Sequence, residues 1–161
     1  VGGRAGWTVE HSHSGFNAFR HHLLGYRTDT RQTLYGSMTP NLVTARAILD
    51  AVRDGRIDVG PLDAYWHVLM AKHNPPLTRG IRVLDATATA TLPAFVASAS
   101  TPPEQVAALR DAFAAAARRG WFGQFADELL IEGFAPVDAS AYVRTLEWDR
   151  AAKAAGYPYP A

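Results

Sequence analysis

The sequence has no cysteine. This rules out disulfides and thiolate metal sites, and it leaves the redox compartment open, since cytoplasmic and periplasmic chains both do without the residue. It also lacks an excess of either charge: 16 Lys and Arg stand against 15 Asp and Glu, for a formal net charge of +1. The arginines are spread from Arg4 to Arg150. The basic stripe of a nucleic-acid binder is therefore missing, and no nucleic acid is expected as a partner. No apolar run is long enough to span a bilayer, and no internal repeat is visible. Val1 opens onto a Gly-Gly-Arg turn with no signal-peptide pattern. What is present is the composition of a globular protein: 161 residues, 48% hydrophobic and 19% charged. That length allows one core, or one and a half lobes, but hardly two full domains.

Strand and helix signals alternate through the first half. A strand is expected over residues 5–10 and a helix over 15–25, and the polar stretch 26–40 admits a short strand at Thr33–Tyr35. Leu42, Val43, Ala45, Ile48, Leu49 and Val52 repeat at helical spacing between Thr39-Pro40-Asn41 and Gly55, which predicts a helix over 41–54. Ile57–Gly60 reads as a strand, and Leu62–Ala71 as a helix ended by Asn74-Pro75-Pro76. Ile81–Leu84 and Ala94–Ala97 read as strands flanking a Thr/Ala/Pro linker. Pro102-Pro103-Glu104 starts an Ala-rich helix that Gly120 stops, and further helices are expected at 121–131 and 139–155. The tail from Tyr157 is expected to be extended and exposed. The fold class is thus α/β, with βα units around a parallel or mixed sheet, followed by a mostly helical C-terminal segment.

The stretch Arg4–Tyr26 carries the most chemistry. It reads as a strand, RAGWTVE, a polar turn, HSHSG, and a helix, FNAFRHHLL. Ser12, Ser14 and Gly15 sit where the helix begins, and a helix start leaves N–H groups unpaired and carries partial positive charge. Small hydroxyl residues and a glycine let an anionic group come close to those amides. The competing reading is a serine N-cap, which needs no ligand. Ligand sites in parallel sheets lie at the carboxyl ends of strands. A second strand end, Gly60-Pro61-Leu62-Asp63-Ala64-Tyr65, would bring Asp63 and Tyr65 near the serine turn. A carboxylate there accepts from a ligand ammonium or protonated oxygen. Equally, Asp63 can be the N-cap of the following helix and Tyr65 a packed aromatic.

Histidine opens a different class of function. His11, His13, His21 and His22 lie close together with Glu10 beside them. H-x-H on a turn can offer two imidazoles to one metal, so a metal-dependent hydrolase using His11 and His13 is an alternative. No H-E-x-x-H motif occurs, and His21 and His22 are about a quarter turn or more apart on a helix. The nucleophile elbow G-x-S-x-G is missing as well. The favoured reading is therefore non-enzymatic, with no cofactor and no metal. A degenerate lobe kept as an interaction scaffold is a third possibility.

Four blocks in order carry a family resemblance: GGRAGWTVEHSHSGFNAF, LYGSMTPNLVTARAILDAVRDGRIDVGPLDAYW, IRVLDATATATLPAFVAS and TPPEQVAALRDAF. Together they resemble the phosphate-, phosphite- and phosphonate-binding proteins of bacterial ABC importers, the PhnD-like branch of the type II periplasmic solute-binding proteins. The resemblance implies that Ser12, Ser14 and Gly15 donate to a ligand oxyanion, with His13 at the family position between the two serines. It implies a side-chain amide from Asn17, an acidic ligand contact from Asp63 and a structural role for Asp58. Gly36 and Ser37 match the start of the family's G-S-H triplet, with Met38 where the family has a ligand-contacting histidine. The expected ligand-binding set is thus Ser12, His13, Ser14, Gly15, Asn17, Ser37, Asp63 and Tyr65.

The same resemblance implies a domain plan. Residues 1–85 would form the second, ligand-binding α/β lobe. Residues 86–161 would form the return strand and C-terminal helices of an incomplete first lobe, whose N-terminal part this chain lacks. Phe113, Trp121, Phe122, Phe125, Leu129, Leu130, Phe134 and Trp148 would then need other cover, so homo-oligomerisation through the C-terminal helices is expected. The alternative is that they pack on each other as a small helical satellite. A small oxyanion ligand, an ABC permease partner and a periplasmic location complete what the resemblance implies.

Overall fold

The computed structural model describes residues 2–160; Val1 of the opening turn and Ala161 of the tail lie outside the described residues. The architecture grows from three short extended segments running in parallel. β1 (Arg4–Gly6) pairs with β2 (Ser37–Thr39), with Arg4 opposite Ser37 and Gly6 opposite Thr39. Val59 joins β1 through a parallel bridge to Ala5. The N–H groups of Asp58 and Val59 both donate to the Arg4 carbonyl, at 2.7 and 3.2 Å. Parallel pairing requires a crossover between strands, and each crossover here contains a helix. The first runs through a π-helical turn (His13–Asn17), α1 (Ala18–Leu23) and a 3-10 turn (Leu24–Tyr26). The second contains α2 (Ala45–Arg53).

The expected βα order is present in part: the strand expected at Ile57–Gly60 is reduced to the single Ala5–Val59 bridge, and other boundaries shift for local reasons. β1 ends at Gly6 because the chain folds back at once, and the Thr8 N–H donates to the Gly15 carbonyl at 3.2 Å. The strand expected at Thr33–Tyr35 forms instead at Ser37–Thr39. Leu34 and Tyr35 pack against the Phe19–Leu23–Tyr157 cluster, and the ladder begins only where the Gly36 N–H reaches the Gly3 carbonyl at 2.9 Å. The helix expected from residue 41 starts at Ala45, because Asn41 (φ 57°) and Val43 (φ 68°) are left-handed. Thr44 is the N-cap, its hydroxyl accepting from the Ala47 N–H at 3.1 Å. The apolar face of α2 buries Ile48 and Ala51 against Ile57, with Leu42 and Val52 around them. Each fully buried isoleucine contributes about 2 kcal/mol. α3 (Ala64–His73) starts after Asp63, and α4 (Pro75–Thr78) follows the Asn74 stop.

A second buried cluster joins Phe19 and Leu23 to Tyr157. Beside it lies Arg20, only 2% exposed. Its Nη2 donates to Asn17 Oδ1 (3.0 Å) and to Asp149 Oδ1 (2.5 Å) of α7 (Val143–Ala154), and its Nη1 donates to the Pro158 carbonyl (2.7 Å). The tail expected to be exposed is thus docked. Tyr157 and Pro160 are buried, and the Arg27 guanidinium lies 4.4 Å over the Tyr157 ring. An unpaired guanidinium could not stay in such a place, and the carboxylate and carbonyl acceptors are what make its burial tolerable.

The elements up to Ala90, together with those from Tyr142 onward, form one compact unit, and Thr91–Ala141 forms a second. The second unit contains α5 (Pro103–Ala116), begun by the paired prolines as expected, and α6 (Phe122–Leu129), which ends at a left-handed Leu130. Its centre is aromatic: Phe95 stacks on Phe113 at 4.7 Å, and Phe134 meets Phe113 (4.9 Å), Phe95 (5.8 Å) and Phe122 (6.0 Å) edge-on. Several residues expected to need outside cover therefore pack on one another as a satellite, while Trp121, Phe125, Leu129 and Leu130 keep exposed surface. Trp148 belongs to the first unit and is buried there. Neither Ile81–Leu84 nor Ala94–Ala97 forms a strand. No ladder partner lies beside either segment among the described residues, and Val83, Leu84 and Val96 face outward.

Arg20 is the test of how the first unit is held. Arg20→Ala should cost about 3 kcal/mol, because it empties a buried position and takes the donor from the Asn17 and Pro158 acceptors, whereas the partly exposed Asp149 keeps Lys153. Urea unfolding followed by far-ultraviolet circular dichroism measures it, and a loss below about 1 kcal/mol, within the range of ordinary surface pairs, would mean α1, α7 and the tail are held otherwise.

Candidate functional site

The carboxyl end of β1 leads directly into the serine turn. Ser12 Oγ accepts from the Gly15 N–H at 3.0 Å, and the Ser12 carbonyl accepts from the Asn17 N–H at 3.1 Å. Ser12 is therefore a working N-cap. Ser14 is half-buried, and its hydroxyl makes no hydrogen bond to another described residue. Gly15 is required by packing rather than by backbone angle. A Cβ there would fall 1.9 Å from Thr8 Oγ1 and 2.9 Å from Ser12 Oγ. The glycine thus lets the strand end and the helix start touch, in addition to whatever access it gives a ligand.

Asn17 is committed on both sides. Its Oδ1 accepts from Arg20, and its Nδ2 donates to the Thr145 carbonyl at 2.8 Å. These two partners fix the amide orientation, so Nδ2, a donor, is the atom that faces His13 Nδ1 at 3.4 Å. Neutral His13 then carries its proton on Nε2. That nitrogen is buried and has no hydrogen-bond partner among the described residues. The imidazole stacks on Trp148 at 5.3 Å, and His21 stacks on the same indole at 5.0 Å. Burial pushes the His13 pKa below its ordinary value of 6.5. The His21 pKa is also lowered, first by burial and then by the neighbouring His22 and Arg144 charges.

Asp63 caps α3, its Oδ1 accepting from the Trp66 N–H at 2.9 Å. Because Val59 runs parallel to β1, Asp63 and Tyr65 follow a strand end on the same edge of the sheet as the serine turn. Ser37 does not share that edge. The register sets it opposite Arg4, at the amino end of β2, where it is exposed. The Arg4–Asp58 pair lies at this same opposite end. Arg4 N and Nε donate to Asp58 Oδ2 at 2.7 and 3.2 Å, and Nη2 donates to Oδ1 at 2.7 Å. Those bonds hold the Asp58 pKa down at about 2. These bonds clamp Arg4 to Asp58, and the resemblance implied a structural role for that aspartate.

Two residues at the site were not visible as candidates in the sequence. Trp7 and Thr8 are 5 and 6% exposed, and Trp7 Nε1 and Thr8 Oγ1 have no hydrogen-bond partner among the described residues. Beside them the chain after β2 is tightly held: Trp7 N–H donates to the Thr39 carbonyl at 3.2 Å, and the Leu42 and Val43 N–H groups donate to the Trp7 and Thr8 carbonyls. A β-branched residue in the left-handed region, as at Val43, costs about 1–2 kcal/mol. The Pro40-Asn41 pair is a weak turn signal, and nothing local marks Val43. Among the described residues, no group of three or more His, Asp or Glu side chains is arranged to hold a metal ion. His13 is instead engaged by Asn17 and Trp148.

A family model described as "ABC transporter, phosphonate, periplasmic substrate-binding protein" matches residues 2–142. The match spans β1, the serine turn, β2, Asp63 and the second unit, and the chain belongs to this family. No curated protein matches the chain. The family is that of the substrate-binding component of an ABC phosphonate transporter.

Two outcomes test this geometry. Gly15→Ala should destabilise the fold by about 2 kcal/mol through overpacking, and Thr8→Ala in the same chain should recover part of the loss by removing the nearest atom. Thermal melts of the single and double variants measure it; a fully tolerated Gly15→Ala would mean the strand end and turn are not in contact. The second concerns pH. The His13 pKa is lowered from 6.5 in the fold, so below that pH the unfolded chain binds more protons than the folded one. Stability should fall as pH drops from 7, with the loss levelling off below the folded-state pKa. His13→Gln should flatten that slope in melts between pH 7 and 5; an unchanged slope would count against a buried imidazole.

Proposed function

We propose that the chain is the non-catalytic solute-binding component of an ABC importer and that it holds a small phosphorus oxyanion at the Ser12–Asn17 turn. The ligand class is phosphate-, phosphite- or phosphonate-like. The observation that carries this reading is the uncommitted Ser14 hydroxyl, standing at a helix start on the carboxyl end of a parallel strand. On this reading the Ser14 hydroxyl and the His13 backbone amide contact ligand oxygens, while the Gly15 amide is already taken by Ser12 Oγ. Ser12 caps the turn, and Asn17 steadies it through Arg20 and Thr145. Asp63 and Tyr65, following the adjacent strand end, face a protonated oxygen or an ammonium group on the ligand. Ser37, at the far end of β2, keeps only the role that the family triplet implies for it.

The wider assignment rests on the same family. Residues 1–85 serve as the ligand-binding lobe and residues 86–161 as the segment that the family returns to the other lobe, although no strand forms there among the described residues and the part from Tyr142 onward packs in one unit with the residues up to Ala90. The permease of an ABC importer is the partner, and the periplasm is the working location. Association of copies through the exposed Trp121, Phe125 and Leu130 belongs to this reading too, since exposed apolar surface of that kind marks contact sites.

Isothermal titration calorimetry with phosphate, phosphite and methylphosphonate tests the proposal, with sulfate and zinc as controls. Ser14→Ala should weaken binding about tenfold, which is about 1.4 kcal/mol, with no change in melting temperature. Equal affinity in the variant would take the serine turn out of the site. Stabilisation by zinc alone, reversed by EDTA, would support the His11/His13 metal reading instead, because only native-state binding raises the melting point.

A further inference from the structure

The family match ends at residue 142, yet the segment after α7 returns to the site. Its path is held at three points. The Tyr157 ring is buried with Phe19 and Leu23, the Pro158 carbonyl accepts from buried Arg20 at 2.7 Å, and Pro160 is fully buried. Between these anchors, the Tyr159 ring stacks on Trp7 (6.4 Å, 26°) and meets Phe16 edge-on (6.3 Å, 63°). Trp7 is the residue at which the chain leaves β1, and Phe16 directly follows Gly15. The two rings that support Tyr159 therefore bracket the serine turn.

Tyr159 is placed unlike a residue that only packs. Its neighbours on either side are fixed, but its own side chain is 47% exposed, and its hydroxyl makes no hydrogen bond to another described residue. A tyrosine kept only for apolar contact gains from burying its ring, whereas one with an apolar body and a wet, unpaired hydroxyl is suited to meeting a polar group from solvent. Trp7 Nε1 and Thr8 Oγ1, buried at the same strand end without partners, show that polar donors gather there. We propose that the Tyr159 hydroxyl is a further ligand donor, which closes over a phosphorus oxyanion held at the Ser14 side of the turn. This rests on the oxyanion reading above. It adds to the site a neutral donor from a segment distant in sequence, held in place by Arg20.

The experiment is calorimetry on the full chain and its Tyr159→Phe variant, with methylphosphonate and with inorganic phosphate. Tyr159→Phe keeps the ring and its contacts with Trp7 and Phe16, so the melting temperature should not move, while affinity for both ligands should fall about tenfold. Tyr159→Leu should lower affinity and also the melting temperature. Wild-type affinity in Tyr159→Phe, with Ser14→Ala impaired, overturns the role of Tyr159 and leaves the oxyanion reading standing. If the unaltered chain binds neither ligand, the oxyanion reading fails and the Tyr159 proposal fails with it.

Discussion

The buried guanidinium of Arg20 is the constraint around which the first unit is organised. A charge removed from water is tolerated only where acceptors surround it. Here the acceptors come from Asn17 on the same helical segment, Asp149 on α7 and Pro158 in the segment beyond, and the charge also lies 4.9 Å over the Phe16 ring. One side chain thereby ties α1 to two points 129 and 138 residues further along the chain. An apolar substitute of equal shape would avoid the desolvation cost, so what the arginine adds here is the link between segments rather than net stability by its charge alone. Its reach extends to the site. Arg20 sets the Asn17 amide, and the Asn17 amide sets which nitrogen of His13 bears the proton.

The turn divides labour between its two serines for the same geometric reason. The helix start needs one acceptor, and Ser12 supplies it to the Gly15 N–H. The strand end and helix start must also touch, because the Thr8 N–H donates to the Gly15 carbonyl and Thr8 Oγ1 occupies the space a Gly15 side chain would need. Once those demands are met, Ser14 is the hydroxyl left over. The cap falls on Ser12, and Ser14 keeps a hydroxyl with no hydrogen-bond partner among the described residues.

What could be read from the sequence was what depends on neighbours in the chain. The βα alternation, the proline-led start of α5 and the Asp63 cap follow from residues within a few positions of one another. What could not be read depends on partners far away. Ser37 is marked in the sequence only by its triplet, and its place opposite Arg4 at the amino end of β2 is a property of two strands 30 or so residues apart. Ile81–Leu84 and Ala94–Ala97 have strand composition, yet a strand exists only where another lies beside it. Tyr157 and Pro160 looked like a loose tail because nothing in a short Tyr-Pro repeat announces a buried arginine far earlier in the chain that will bind the Pro158 carbonyl.

The charges near the turn bear on which oxyanion the proposed site would take. Arg4 is bound to Asp58 at the opposite end of the sheet, and buried Arg20 is paired with the partly exposed Asp149. Burial lowers the His13 pKa and so disfavours its charged form. The donors that the turn itself leaves for a ligand are hydroxyls and backbone amides, and the Arg144 guanidinium lies beyond them, over the Trp148 ring on which His13 stacks. Asp63 works in the other direction, because a carboxylate facing a fully deprotonated anion is repelled unless a proton lies between them. On the proposed reading, then, the ligand has to bring that proton or a cation of its own. A monoprotonated phosphate, phosphite or phosphonate, or an aminoalkylphosphonate, can do so at neutral pH, whereas sulfate has no proton to offer. Selectivity for phosphorus oxyanions would therefore follow from the acidic residue on the edge of the sheet, even with methionine where the family has a histidine.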